Sequence, residues 1–366
     1  MKISISRDAI LNPLQMVNSV IERRQTLPIL SNVLISVNDN KLSLTGTDLE
    51  VEIINSCLAD HSENGETTLP ARKLLDICKA LPENANIDLL INDDRATLKS
   101  GRSRFSLSTL NASEFPSIDA LISPFEFSLS QKIFKKIIEQ TQFCMAQQDV
   151  RYYLNGLMLE LSKNQIIAVA TDGHRLAFCE SVANIDPGET RQIIIPRKAV
   201  NEISRLLEDT DEEIKISLSE NHVRIEFSDV IFTSKLIDGK FPDYQQVIPQ
   251  KCDNEVKSAR DNLYQAFHRT SVLSNEKYRG MRLQLSANQL QATVHNPEQD
   301  EAEEVIEVAY SGDDFEIGFN VAYLLDALSA IKSDEVVMQL TDSNHSCLLF
   351  GSDDVDSKYV VMPMRL

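Results

Sequence analysis

The 366-residue chain is 42% hydrophobic and 25% charged, enough for roughly two to four cores at 100–200 residues each, which excludes a single small module and global disorder. Its 36 Lys plus Arg against 55 Asp plus Glu leave a formal net charge of −19, a bulk value that repels DNA and anionic membranes. A nucleic-acid partner therefore has to be sought in how the charge is distributed.

In chain order the pattern reads helix, strands, helix, strands, three times over. An amphipathic helix is expected over 7–24 on Ala9, Ile10, Leu11, Leu14 and Val17, followed by the alternating runs 32–37 and 41–48 on either side of an Asp39-Asn40 turn signal. A second helix is expected over 72–80. The next unit has a helix over 131–142 (Ile133, Phe134, Ile137, Ile138), the run 156–161, a Lys163-Asn164 turn, the run 165–172 and a helix over 197–208. The last has a helix over 257–269 (Leu263, Phe267), the run 281–285, an Ala287-Asn288 turn, the run 289–296 and a helix over 321–332.

These units are copies. Lys41-Leu-Ser-Leu-Thr-Gly-Thr-Asp48 aligns with Gln165-Ile-Ile-Ala-Val-Ala-Thr-Asp172, and less closely with Gln289-Leu-Gln-Ala-Thr-Val-His-Asn296, each 124 residues further on. The block starting at Pro70 recurs at Pro196 and more loosely at Asn320, and Glu114-Phe115-Pro116 recurs at Lys240-Phe241-Pro242. The expected fold class is α+β, with three repeated domains, antiparallel sheets and helices on one face. The domains are placed at 1–124, 125–250 and 251–366, with joints near Ser123-Pro124 and residues 249–253.

The six expected helices carry an excess of positive charge, +8 in sum, while the rest of the chain is strongly acidic. If three equivalent domains face their helices the same way, one surface becomes basic and binds phosphates without reading sequence. No recognition-helix or base-stacking module is visible, which disfavours sequence-specific binding.

Long blocks match a known family. Thr26-Leu-Pro-Ile-Leu30, 42–50, 100–110, Asp149-Val-Arg-Tyr-Tyr-Leu-Asn-Gly156, Ala170-Thr-Asp-Gly-His-Arg-Leu176, Leu273-Ser-Asn-Glu-Lys277 and the end, Tyr359-Val-Val-Met-Pro-Met-Arg-Leu366, resemble the sliding clamp family, the beta subunits of bacterial DNA polymerase III, over essentially the whole chain. The resemblance implies a head-to-tail homodimer whose six domains, sheets outside and helices inside, close around double-stranded DNA. It implies loading by an ATP-driven clamp loader, and tethering of the replicative polymerase catalytic subunit, translesion and repair polymerases and other clamp-motif proteins. It also implies a non-catalytic processivity subunit of a nucleotidyltransferase complex. By the resemblance Arg24, Arg72, Gln148, Tyr152, Tyr153, Arg197 and Lys198 face DNA.

The C-terminus is unusual in itself, being apolar almost to its last residue where chain ends are ordinarily polar and frayed. A docked final strand accounts for Tyr359 to Val361, but Met362-Pro363-Met364 cannot continue a central strand, and methionines form an adaptable apolar surface. The resemblance places this tail beside a cleft that accepts short linear motifs, with Leu154, Thr171, Gly173, His174, Arg175, Leu176, Pro242, Val247, Asn320, Tyr323, Ser346, Val360, Met362, Pro363, Met364 and Arg365 around it. Gln246 and Tyr278 depart from the family's usual Arg and Phe.

Ring closure needs complementary ends. Basic Lys73, Arg102 and Arg104 lie in the first third and acidic Glu298, Asp300, Glu301, Glu303 and Glu304 in the last. Phe105, Leu107, Val272 and Leu273 form the apolar centre by the resemblance.

Catalysis finds little support: there is no nucleophile elbow, P-loop, dinucleotide fingerprint or H-E-x-x-H, and no cofactor or metal is expected. Thr171-Asp172-Gly173-His174 offers an acid beside a base, yet Thr47-Asp48 recurs without a histidine, so the pair reads as strand-end architecture. No apolar run reaches the roughly 18 residues of a membrane span, and the start lacks the apolar stretch of a secretion signal. The six cysteines are scattered without a C-x-x-C pair, which points to reduced thiols in a cytoplasmic protein.

Overall fold

The computed structural model describes residues 1–22, 27–92, 94–118, 125–250 and 254–365. Among the described residues six α-helices stand beside four antiparallel sheets: α1 (Arg7–Asn18), α2 (Ala71–Ala80), α3 (Gln131–Glu139), α4 (Arg197–Leu206), α5 (Arg260–Ser271) and α6 (Val321–Ala330). The hairpins form where the Asn signals lie. Asp39 and Asn40 take φ of 50° and 64°, and Asn164 and Asn288 each take 60°, the left-handed geometry that short polar residues tolerate and that matches the twist of the flanking strands.

Five elements differ from the sequence reading. Each repeat opens with a strand ahead of its first helix: Lys2–Ser6, Phe125–Ser130 and Asn254–Ala259. These are half-polar alternations such as Lys-Ile-Ser-Ile-Ser, whose period-2 signal is short and merges with the helix that follows. Helix α1 ends at Asn18 rather than 24, where Ser19 turns its hydroxyl back to the Met16 carbonyl at 2.8 Å. Helix α5 begins at Arg260, so Lys257 lies on a strand and its ammonium pairs with Glu255 at 2.9 Å. The basic excess of the helices is accordingly smaller than the sequence reading made it, although α2, α3 and α4 stay net positive.

By compactness the chain forms two units, Met1–Gln131 with Asn201–Leu236, and Lys132–Val200 with Ile237–Leu366. The repeat divides it in three, and the middle repeat gives one of its two strand groups to each unit. In the first unit an eight-stranded sheet runs Phe125–Ser130, Glu213–Leu218, His222–Phe227, Val230–Lys235, Val51–Leu58, Lys41–Thr47, Asn32–Asn38, Gly65–Pro70. The first and middle repeats join at its centre, where Phe232 pairs with Ile53 and Thr233 with Glu52. A five-stranded sheet accompanies it, in the order His61–Ser62, Lys2–Ser6, Asn86–Asn92, Arg95–Ser100, Ser103–Ser108.

The second unit repeats the design. Its eight strands run Arg191–Pro196, Gly156–Ser162, Gln165–Thr171, Arg175–Val182, Asp354–Val361, Cys347–Gly351, Glu335–Leu340, Asn254–Ala259, joined at the centre by Leu176 opposite Val360. A four-stranded sheet runs Glu301–Glu307, Gln289–His295, Gly280–Ser286, Phe315–Asn320. Apolar side chains alternate inward along these strands and meet the helices, as where Leu14 and Val17 of α1, both fully buried, lie in a core with Leu42, Leu44 and Ile53. Cys78, Cys144, Cys179 and Cys347 are buried free thiols and Cys57 is half-buried; Cys252 lies outside the described residues.

Candidate partner-binding cleft and nucleic-acid interface

The Thr-Asp pairs close strand ends. Asp172 Oδ1 accepts the amides of His174 (2.9 Å) and Arg175 (3.1 Å), while the Thr171 hydroxyl donates to the Arg175 carbonyl at 2.6 Å and accepts from the Gly173 amide at 3.1 Å. Asp48 and Thr47 make the same set of bonds to Glu50, Val51 and Leu49. The acid is thus occupied in shaping a turn in both repeats, and His174 stands exposed at the tip of one of them.

Beneath this turn lies Arg175. Its side chain is only 13% exposed; Nε donates to Asp172 Oδ2 at 3.0 Å, Nη1 to Asp326 Oδ2 at 2.5 Å and Nη2 to the Phe143 carbonyl at 2.9 Å. The guanidinium also lies over the ring of Tyr323, 4.5 Å from its centroid. One cation therefore ties together the turn, the segment after α3, and α6. Burial, then the Asp172 charge, pushes the Tyr323 hydroxyl above its ordinary range.

The tail docks as a strand and then leaves it. Pairing continues to Val361 opposite Arg175, after which the Met362 amide donates to the His174 carbonyl at 2.9 Å and the Met364 amide to the Gly318 carbonyl at 2.8 Å. Met362, Pro363 and Met364 remain half-buried and Arg365 exposed. Behind them is a core of Leu154, Met158, Leu176, Phe178, Phe241, Tyr244 and Val360, with Val247 packed on it half-buried. Tyr244 donates to Glu160 Oε1 at 3.2 Å, and burial pushes its hydroxyl up to about 12. Pro242 is exposed on the segment leading to Tyr244, Ser346 precedes the strand Cys347–Gly351, and Asn320 caps α6 by accepting from the Ala322 amide at 3.0 Å. Gln246 is tied to Asp243 Oδ2 at 2.8 Å, and Tyr278 is exposed with the Lys277 ammonium 5.1 Å from its ring centroid.

Of the residues assigned to DNA, Arg24 lies outside the described residues. Arg72 is exposed on α2, and Lys198 is half-buried on α4. Arg197 braces a loop, its Nη1 donating to the Met145 carbonyl at 2.6 Å. Gln148, at φ 57°, and Tyr152 are exposed; Tyr153 is half-buried with its ring 5.8 Å from that of Tyr152. Sequence reasoning missed Asp149, Arg151, Phe143 and Asp326, whose partners lie up to 151 residues away along the chain; only the Asp-x-Arg spacing of 149 and 151 gave a local signal.

Two sheet edges stand out. Ser103–Ser108 and Glu301–Glu307 each pair on one side only among the described residues. Arg102 and Arg104 are exposed at the first, with Phe105 half-buried and Leu107 buried on the same strand face; Lys73 is exposed on α2. At the second, Glu301 and Glu303 are exposed and Glu304 is held by Arg269 Nε at 3.1 Å. Glu298 and Val272 are exposed, Leu273 half-buried. Among the described residues no group of three or more His, Cys, Asp or Glu is placed to hold a metal, and no helix is long and apolar enough to cross a membrane.

Family models describe the same three segments. Residues 1–119 match the N-terminal domain, 128–243 the central domain and 245–365 the C-terminal domain of the DNA polymerase III beta subunit. The chain is 52% identical to the beta sliding clamp of Pseudomonas putida KT2440 and 49% identical to that of Escherichia coli K12, with all of both chains covered in each case. Among solved structures, a sliding clamp (DNA polymerase III subunit beta) from Pseudomonas aeruginosa bound to griselimycin superposes with a TM-score of 0.97 at 51% identity, covering 100% of each chain. A beta sliding clamp from Caulobacter crescentus superposes at 0.96 with 38% identity, covering 100% of this chain and 99% of that one. With three consecutive domain matches and relatives near half identity over the full length, the chain belongs to the DNA polymerase III beta subunit family of sliding clamps.

Proposed function

We propose that two copies of this chain join head to tail into a six-domain ring around duplex DNA, and that the ring holds the replicative polymerase there as a non-catalytic processivity factor. The observation that carries the ring is the pair of free edges. Within the chain, the edge strand Val230–Lys235 of the middle repeat pairs with Val51–Leu58 of the first, and Asp354–Val361 of the last pairs with Arg175–Val182 of the middle. By the same rule, among the described residues the first repeat's Ser103–Ser108 lacks its counterpart, and so does the last repeat's Glu301–Glu307. Unpaired strands are ready templates for another chain, and one edge is basic where the other is acidic. A second copy satisfies both edges at once.

Domain limits of 1–124, 125–250 and 251–366 fit this reading, and the matched segments support them. The basic helices then supply weak, sequence-blind phosphate contacts from Arg24, Arg72, Gln148, Tyr152, Tyr153, Arg197 and Lys198, suited to sliding. Motif peptides of the polymerase subunit, the clamp loader and repair polymerases take the cleft under the Met362-Pro363-Met364 tail, and we infer that griselimycin, to which the Pseudomonas aeruginosa clamp is bound, takes the same cleft and serves as its probe. The ring works on DNA in the cytoplasm. The test is retention on nicked circular DNA in high salt after loading by a matching clamp loader with ATP. Retention on the circle and rapid loss on linearisation are expected; equal retention on both forms leaves a peptide-binding scaffold that never encircles DNA.

A further inference from the structure

Arg151 bridges two loops to which the proposed function gives different partners. The loop 147–154 carries Gln148, Tyr152 and Tyr153, assigned to DNA, and Arg151 is its only cation. The turn 171–174 forms a rim of the peptide cleft. The Arg151 guanidinium grips both oxygens of Asp149, Nε to Oδ1 at 3.0 Å and Nη2 to Oδ2 at 2.8 Å, and Nη2 also donates to the carbonyl of Asp172 at 3.3 Å. The loop behind it is braced: the Asp149 amide donates to Asn155 Oδ1 and Asn155 Nδ2 donates back to the Asp149 carbonyl, both at 2.9 Å. At the rim the fit is tight. Gly173 has φ 89°, and a Cβ there would stand 3.0 Å from both Nη1 and Nη2 of Arg151.

The turn is thus held from two sides, by Arg151 through the Asp172 backbone and by Arg175 through the Asp172 carboxylate. Its last residue, His174, carries the tail through the Met362 amide. Arg175 is nearly buried with its donors committed, whereas the Arg151 side chain is 47% exposed and its bond to Asp172 is the longest of the set. Of the two holds, the outer one is free to be exchanged for a ligand.

We propose that Arg151 is a positioning residue that couples DNA contact to the peptide cleft: a phosphate taken up by the loop 147–154 draws the guanidinium off the Asp172 carbonyl, loosens the 171–174 rim and weakens peptide binding. This rests on the assignment of that loop to DNA and of the cleft to peptides. Coupling is reciprocal, so peptide binding weakens the phosphate contact by the same factor. Because the bonds at stake are exposed, the effect is modest, about threefold.

The test titrates griselimycin into the full-length protein by calorimetry, with and without saturating short duplex DNA at low salt. The wild-type dissociation constant is expected to rise about threefold with DNA. In Arg151→Lys the charge stays but the planar fork that spans Asp149 and Asp172 is lost, so DNA still binds. There the constant without DNA is expected at the raised value, with no further change on adding DNA. A second variant, Gly173→Ala, displaces the guanidinium without altering charge and is expected to behave alike. An unchanged wild-type constant under saturating DNA, or a full DNA effect in Arg151→Lys, overturns the coupling and leaves the clamp reading intact. Failure of duplex or griselimycin to bind the wild type at all overturns the coupling together with the site assignment it rests on.

Discussion

The amide of Met362 donates to the carbonyl of His174 at 2.9 Å, so the end of the chain is fastened to the 171–174 turn, the proposed rim of the peptide cleft. Two residues on, Met364 repeats the arrangement with Gly318 at 2.8 Å. Removing residues 362–366 deletes both ties and the half-buried methionines but leaves the strand Asp354–Val361 paired along its length. We expect griselimycin affinity to fall at least tenfold, with the dimer intact by sedimentation. Net losses of about 1 kcal/mol per backbone bond keep the fold stable. Unchanged affinity in the truncated chain contradicts the placement of the cleft.

The buried hub beneath that turn gives a stability prediction. Arg175→Met keeps an unbranched apolar stem but takes the guanidinium off the Tyr323 ring and leaves Asp172, 17% exposed, without its ion pair. Breaking a buried pair on one side costs about 3–5 kcal/mol, and the half-exposed Asp326 end reduces this to about 2–3 kcal/mol. A urea midpoint shifted down accordingly, with weakened griselimycin binding, is the expected result. A midpoint equal to wild type shows that the hub does not hold the rim.

How far the sequence carries is shown by particular residues. The offset of 124 residues between Asp48 and Asp172 exposes the repeat, and the structure gives both aspartates the same capping bonds because a turn of that shape needs a short side chain accepting two amides. The turn asparagines are equally local. Lys2–Ser6 escapes notice because its pairing with Asn86–Asn92 lies far along the chain, and five alternating residues are a weak signal beside a helix. The clasp of Arg175 to Asp326 joins residues 151 apart and has no periodic signature. Family resemblance names Arg175 as a cleft residue, but only geometry shows that its donors are already committed beneath the surface.

The outer clasp has a pH signature. Asp149 is held down to about 2, first by the side-chain bonds from Arg151 and then by the Arg151 amide. Its folded value therefore lies below the ordinary carboxylate value of about 3.9. The stabilising contribution of the ionised form is fully present above about pH 4 and is lost as the pH falls toward 2. Carbon NMR of the Asp149 carboxyl is expected to titrate near pH 2, and higher in Arg151→Met, where the amide of residue 151 still holds it below the ordinary value. An ordinary midpoint in the wild type shows that the clasp is not formed in solution.

Closing the ring gives the last prediction, and it turns on two different forces. Arg102 precedes the free edge strand Ser103–Ser108 and Arg104 lies on it, both exposed, while Glu301 and Glu303 lie exposed on the other free edge. Exposed ion pairs contribute roughly 0–1 kcal/mol each, whereas pairing two edges buries Phe105 and a ladder of backbone bonds. Neutralising the two arginines should therefore weaken the dimer only slightly. Reversing them in Arg102→Glu with Arg104→Glu puts like charges face to face along the ladder, which raises the dissociation constant further, by about ten- to a hundredfold at low salt. Because the repulsion is screened, raising the salt should restore much of the lost affinity. Analytical ultracentrifugation of the double variant across a salt series separates the contributions. Weakening that persists unchanged at high salt points to damage in the edge strand itself, and a dissociation constant equal to wild type at low salt removes these two residues from the interface.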